Sequence, residues 1–258
     1  MKLAIHSTLD YFLAEPTDLL LQVEAAHLPE QIVESGNLVL STCDHFARMQ
    51  AQDAIGERIW LRAQGRFTAD YVATVDIQRR LAAIEGLAAM PPHRLPGETV
   101  PYLLDSRYCP AGEFHSFVEG EFGGTQGGSR IAALRDFIHD RFRYVPGSST
   151  GDTTARETFV RREGVCRDFA HILITLARAS VIPARIASVY AVGVDPPDFH
   201  AVAEVFLGGE WHLVDATGMA TEGQMAKIGI GRDAADVAFL TAFGRADMNS
   251  QRIEVSPA

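Results

Sequence analysis

The stretch Gly164-Val165-Cys166-Arg167-Asp168-Phe169-Ala170-His171 opens the segment that decides the fold. From it onward, apolar and small residues recur at the three- and four-residue intervals of one helix face: Phe169, Ile172, Leu173, Leu176, Ala177 and Ser180. Cys166 lies three residues before Phe169 and heads the same face. Unpaired N–H groups and the positive end of the helix dipole favour a thiolate there, and Gly164 lets a substrate approach closely. The pattern predicts a helix that carries a candidate nucleophile, Cys166.

A lone cysteine on an apolar face is more often a small buried side chain, so Cys166 needs partners to count as a nucleophile. Three strand-like runs follow the helix, at residues 184–192, 199–207 and 211–215. The last two flank Gly208-Gly209, and a two-residue turn of this kind pairs Leu207 with Glu210. His200 then lies on the same sheet face as Asp215 and diagonal to it, about 7–8 Å away at Cα. A four-residue loop would also place the two side chains on the same face of the sheet, whereas a three-residue loop would place them on opposite faces.

A carboxylate beside an imidazole is the arrangement that a cysteine nucleophile needs for its general base. His171, the other histidine near Cys166, is rotated about 140° away around the helix and is interpreted as structural. Cys43 and Cys109 have no comparable neighbours in the pattern, and the remaining histidines lack metal-ligand spacing. The sequence therefore predicts a Cys-His-Asp triad with no metal and no cofactor.

The chain has 258 residues, which allows one or two domains at about 150 residues each. Its formal net charge is −10 and only Lys2 and Lys227 are lysines, so its field repels phosphate backbones and anionic lipids. We therefore expect neither nucleic-acid nor membrane binding. Three cysteines without a CxxC pair argue against a disulfide framework, and the N-terminal segment lacks a signal-peptide core. These features favour a cytoplasmic location.

Two-residue periodicity dominates the first part of the chain. Residues 67–77 alternate as a half-buried strand, with shorter runs at 2–11, 38–43 and 57–61. Residues 90–115 are rich in proline and are interpreted as a connection. The pattern predicts a β-rich N-terminal domain at 1–105 and an α+β domain at 106–258, with a short helix-like stretch at 237–243.

Four motifs together resemble the bacterial transglutaminase-like superfamily. They are the stretch quoted above, Ile182-Pro183-Ala184-Arg185, Phe199-His200-Ala201-Val202-Ala203-Glu204-Val205 and Trp211-His212-Leu213-Val214-Asp215-Ala216-Thr217. The resemblance implies a papain-like α+β core in which a helix carrying the cysteine packs on an antiparallel sheet carrying the histidine and aspartate. It assigns Cys166 as nucleophile, His200 as base and then acid, and Asp215 as the orienting carboxylate. The sequence departs from the family at Val202, often Trp, and at Ala216, often Pro.

The expected chemistry is thiol-dependent acyl transfer on the amide bonds of a peptide or another amide substrate. Hydrolysis by a cysteine protease or amidase is favoured, because nothing resembles the additional domains or calcium sites of animal cross-linking enzymes. Two alternatives stay open: a protein-glutamine transglutaminase, and a non-catalytic scaffold that binds protein partners. Tyr144 and Thr150, in the loop before the helix, are predicted to line the substrate cleft. The oligomeric state and a second oxyanion donor besides the Cys166 main chain are left open.

Overall fold

Strands account for most of the regular structure, in agreement with the two-residue periodicity. A computed structural model describes all residues from 1 to 258. The helices are α1 (His115–Phe122), α2 (Gly127–Arg141), α3 (Ala155–Arg161) and α4 (Cys166–Ala179). The strands are β1 (Lys2–Leu21), β2 (Gln31–Leu40), β3 (His45–Gln50), β4 (Glu57–Ile77), β5 (Arg143–Tyr144), β6 (Glu163–Gly164), β7 (Ala184–Ala191), β8 (His200–Leu207), β9 (Glu210–Val214), β10 (Met225–Gly231), β11 (Leu240–Ala242) and β12 (Asp247–Pro257).

A six-stranded sheet is built on two long antiparallel strands, β1 and β4. Alternate side chains of β1 are buried, as the period of two requires. The runs predicted at 57–61 and 67–77 belong to one strand, β4, which continues through Gly65. The pairing register between β1 and β4 shifts between Leu13 and Thr17 of β1. This interval contains Pro16, which has no N–H to donate to a neighbouring strand. This sheet confirms the β-rich N-terminal region.

The last two strands differ from the predicted division of the chain. Strands β11 and β12 pair with β1, with Leu3 opposite Pro257, so they lie in the first sheet rather than with the rest of 106–258. The stretch at 237–243 is not helical, because its residues contribute to β11 instead. Residues 84–113 form a series of short 3₁₀ turns, as a proline-rich connection favours.

The second sheet has the strand order β10-β7-β8-β9 and is antiparallel throughout. Helix α4 covers one of its faces. Leu173 and Leu176 of the helix are fully buried and share an apolar cluster with Ile186 of β7 and Val205 of β8. This arrangement confirms the α+β fold class, in which the cysteine helix packs on an antiparallel sheet. Helices α1, α2 and α3 pack against α4, so it is buried on nearly every side.

The two sheets share a core. Tyr190 of β7 and Ile228 of β10 lie in the same apolar cluster as the inward side chains of β1 and β4. The Tyr190 hydroxyl donates to the Val23 carbonyl at 2.6 Å and lies 2.9 Å from the Ser7 hydroxyl. No helix in the structure has the length and apolar character needed to span a bilayer.

Candidate active site

The first turn of α4 presents Cys166. Asp168 folds back so that its Oδ2 accepts the Val165 N–H at 2.8 Å, which caps the helix start. Arg167 donates to Asp168 Oδ1 at 3.1 Å. A Cβ at Gly164 would lie 2.6 Å from the Asp168 Cβ, so the glycine is needed to accommodate the capping side chain. This packing requirement is separate from the predicted role of Gly164 in substrate approach, which stays a prediction.

The β8–β9 hairpin has the predicted register. Leu207 pairs with Glu210, and Gly208 and Gly209 have φ angles of 62° and 91°, which side chains disfavour. His200 begins β8 and Asp215 follows the end of β9. Their side chains meet: His200 Nε2 lies 2.9 Å from Asp215 Oδ2. The predicted same-face geometry is therefore present.

Asp215 is surrounded by hydrogen-bond donors. Its Oδ1 accepts from the Thr217 main-chain N–H at 2.8 Å and from the Thr217 hydroxyl at 2.7 Å. Its Oδ2 accepts from the Ala220 N–H at 3.0 Å in addition to His200. Burial raises the pKa of Asp215, but hydrogen bonds and charge from His200 and Thr217 outweigh it and hold the pKa below its ordinary value. The side chain is therefore an ionised, fixed acceptor.

The His200 imidazole is held between Asp215 and Cys166. Its side chain is 0% exposed, and burial lowers its pKa. The hydrogen bond with Asp215 and the interactions with Cys166 outweigh burial and raise the pKa to about 10. The Nδ1 atom is buried and has no hydrogen-bond partner. Cys166 Sγ lies 3.9 Å from the Phe199 carbonyl oxygen, at the start of β8. The structure thus brings all three predicted triad residues together.

Tyr144 also reaches the nucleophile. Strand β5 pairs with β6, setting Tyr144 opposite Gly164, two residues before Cys166. Burial raises the pKa of Tyr144, and the nearby Cys166 side chain raises it further. The Tyr144 hydroxyl is therefore a neighbour of the thiol. Its role with substrate stays a prediction.

Thr150 lies differently from Tyr144. It is exposed, and its hydroxyl is 3.5 Å from that of Thr153 within its own loop. Its carbonyl oxygen accepts from Arg167 at 2.7 Å, which ties the loop to the first turn of α4. The structure therefore gives Thr150 a loop contact, and its role in a substrate cleft stays a prediction.

Two side chains near the site were not singled out by the sequence reasoning. Thr217 fixes Asp215 through two hydrogen bonds, and its position two residues after the aspartate is the signal that could have found it. Asp198 immediately precedes Phe199, and its Oδ1 accepts the Phe199 N–H at 2.7 Å. Burial raises the pKa of Asp198, although hydrogen bonds from Phe199 and Gln251 lower it.

His171 lies away from the triad, as its offset on the helix predicts. The side chain is fully buried and stacks on Tyr108, with ring centroids 5.1 Å apart. Its Nε2 accepts the Ala234 N–H at 3.1 Å. Burial lowers the pKa of His171 to about 4. These contacts agree with a structural role.

Comparisons with known proteins indicate the family of this chain. The model of the transglutaminase-like superfamily matches residues 117–216. A crystal structure described as a "Putative Cysteine Protease" from Cytophaga hutchinsonii superposes with a TM-score of 0.92; it is 34% identical and the alignment covers 99% of this chain and 90% of that one.

Two curated relatives are mycobacterial. An uncharacterized protein of Mycobacterium tuberculosis is 32% identical over 145 residues, which cover 49% of this chain and 46% of the relative. An uncharacterized protein of Mycobacterium leprae is 29% identical over 116 residues, 41% of its length. The aligned part of this chain thus spans less than half the length of these curated relatives. The chain belongs to the transglutaminase-like superfamily, and its architecture is that of a papain-like thiol enzyme.

Proposed function

We propose that the protein is a cysteine protease or amidase that hydrolyses amide bonds, with Cys166 as nucleophile, His200 as general base and acid, and Asp215 as the orienting carboxylate. The observation that carries the proposal is the meeting of these three side chains, which come from a helix start, a strand start and a strand end. A fully buried imidazole between a carboxylate and a thiol is what nucleophilic catalysis requires.

One hydrogen bond supports a path for the proton. The His200 Nε2–H donates to Asp215 Oδ2, which leaves Nδ1, buried and without a hydrogen-bond partner, as the atom that accepts the Cys166 proton. The raised pKa of His200, about 10, favours the imidazolium, the form that protonates the leaving amine. Asp215 stays ionised because four donors surround it.

In the first half-reaction the thiolate sulfur attacks the amide carbonyl carbon, and the carbonyl oxygen takes up negative charge. The Cys166 main-chain N–H, at the start of α4, is placed to stabilise that oxyanion. Collapse of the intermediate breaks the C–N bond, and the leaving amine takes the proton from His200. Water then attacks the thioester while His200 accepts its proton, and the carboxylic acid and free thiol are released.

Selective alkylation tests the nucleophile. With limiting iodoacetamide near neutral pH, we expect mass spectrometry to find Cys166 labelled faster than Cys43, which is also half-buried. Cys109 is a poor comparator, because burial raises its pKa to about 12. His200→Ala should abolish the selectivity, whereas the exposed His93→Ala should not. Equal or absent labelling of Cys166 would favour a non-catalytic scaffold.

A second experiment separates hydrolysis from amine transfer, since both pass through the same thioester. A peptide library containing glutamine is incubated with a fluorescent primary amine, and products are identified by mass spectrometry. The hydrolase is supported if the parent protein forms cleaved or deamidated peptides and the Cys166→Ser variant does not. Incorporation of the amine without cleavage would identify a protein-glutamine transglutaminase instead.

A further inference from the structure

A cavity of about 490 Å³ lies between the two sheets, outside the candidate active site. One wall comes from the loop between β1 and β2 and from the segment after β4. The other comes from β7, β9 and β10 of the second sheet. Arg185 of β7 lies on this wall and is paired with Glu204 of β8. The next pair along the strands, Ala184 and Val205, belongs to the apolar cluster that contains the buried side chains of α4. The cavity therefore opens on the sheet face that α4 does not cover.

Four cationic side chains line this cavity, in a chain whose acids outnumber its lysines and arginines by 33 to 23. Two of them are paired. Arg185 Nε donates to Glu204 Oε2 at 2.7 Å and Lys227 Nζ donates to Glu204 Oε1 at 2.5 Å, all three side chains being 5% exposed or less. Lys227 also lies 2.6 Å from Glu30. These two cations are neutralised by the protein itself.

Arg79 is different, because part of its guanidinium has no acceptor. Its side chain is 5% exposed, and Nη1 donates to the carbonyl oxygens of Glu222 and Met225 at 2.8 and 3.2 Å. Nε and Nη2 are buried without a hydrogen-bond partner. The carboxylate of Glu30 is 4.0 Å from Nη2 and is already engaged by Lys227. A buried guanidinium left in this state is costly, which indicates a missing acceptor.

The rest of the lining can hold both an anionic head and an apolar body. Arg80, next to Arg79, lines the same cavity and is exposed. Trp211 and Ile55 add apolar surface, and the Trp211 ring is fixed by the Arg185 guanidinium at 3.9 Å from its centroid. The volume falls in the range of about 300–1,000 Å³ found for small-molecule sites.

The backbone next to Ile55 is also unusual. Asp53 and Ala54 are consecutive non-glycine residues with φ of 55° and 57°, the left-handed region that side chains disfavour. The Asp53 carboxylate holds this turn by accepting the Tyr102 hydroxyl at 2.6 Å. Strained turns of this kind cluster at ligand sites.

We propose that this cavity binds a small carboxylate-bearing molecule, whose carboxylate accepts from Arg79 and Arg80 and whose apolar body lies against Trp211 and Ile55. The bound carboxylate supplies the acceptor that the Arg79 guanidinium lacks. The site is separate from the triad, since Cys166, His200 and Asp215 are not among the residues that line it.

Binding can be measured without any catalytic assay. Trp60→Phe leaves Trp211 as the sole tryptophan, so its fluorescence reports on the cavity. Benzoate is the probe, and benzamide is its neutral match. We expect benzoate at millimolar concentration to change the fluorescence and raise the melting temperature, with benzamide much weaker. Arg79→Met should weaken benzoate binding about 10- to 100-fold, the value of a hydrogen bond to a charged group.

Arg94→Met, an exposed arginine outside the cavity, is the matched control and should bind benzoate normally. If Arg79→Met fails to fold, Arg80→Met and the comparison of benzoate with benzamide in the parent protein decide the question. The proposal is overturned if benzoate gives no change, if benzamide binds equally well, or if the folded Arg79→Met protein retains full affinity. Binding of inorganic phosphate without benzoate would also overturn it, because it would exclude the apolar part of the site.

Discussion

Asp215→Asn keeps the shape of the side chain that orients His200 and removes its charge. Four donors face the carboxylate: His200 Nε2, the Ala220 N–H, and the main-chain N–H and hydroxyl of Thr217. Whichever way the carboxamide turns, its NH₂ group meets a main-chain N–H. If the NH₂ replaces Oδ2, His200 must accept at Nε2 and keep its proton on Nδ1, so that it can no longer take the proton of Cys166.

The size of the effect follows from the charged hydrogen bond that is lost. Burial lowers the pKa of His200, and its interactions with Asp215 and Cys166 outweigh burial. A hydrogen bond to a charged group contributes about 1.5–3 kcal/mol, so removing the Asp215 charge should make the imidazolium about 10- to 100-fold less favourable.

The assay is the rate of iodoacetamide labelling of Cys166 at about pH 6.5, where a thiol of ordinary pKa is mostly protonated. We expect Asp215→Asn to label about 10- to 100-fold more slowly than the parent protein. Asp195→Asn, an exposed carboxylate in the loop before His200, is the matched control and should label normally. A folded Asp215→Asn protein that labels as fast as the parent would refute the orienting role.

Two further predictions concern buried ionisable groups. Glu204→Gln removes the carboxylate that the buried Arg185 and Lys227 share. In urea melts this change should lower the free energy of unfolding by about 3–5 kcal/mol, whereas Glu210→Gln, at an exposed position, should change it little. The pKa of His171 is lowered to about 4, so its neutral form stabilises the fold above about pH 6.5 and this stability is lost as the pH falls toward 4. Urea melts at about pH 7 and 4.5 should show that loss as about 2 to 3 kcal/mol, largely absent in His171→Gln; an equal loss in both proteins would contradict the explanation.

Short-range patterns predicted the candidate site well. Gly208 and Gly209 determine the hairpin register because both require positive φ, and that register alone places His200 near Asp215. The apolar spacing of α4 located Cys166 at a helix start for an equally local reason. The approach of Cys166 to His200 is not local; the need of a cysteine nucleophile for a base and the family resemblance both indicated it, but no spacing in the sequence determines it.

Contacts between distant segments could not be read in the same way. Strand β12 pairs with β1 from the far end of the chain, and the sequence of β12 does not indicate which strand it pairs with. The complete burial of Glu204 depends on its contacts with Arg185 of β7 and Lys227 of β10, which the sequence of β8 alone does not indicate. The contact between Tyr144 and the thiol likewise needs the pairing of β5 with β6.

The pairing of β1 with β12 has a consequence for biosynthesis. One edge of β1 stays open until residues 247–257 have left the ribosome, because these residues pair with that edge from Leu3 to Phe12. Gln251 of β12 also donates to Asp198, in the loop that leads to His200. The loop beside the nucleophile therefore gains this support only when translation has passed strand β12.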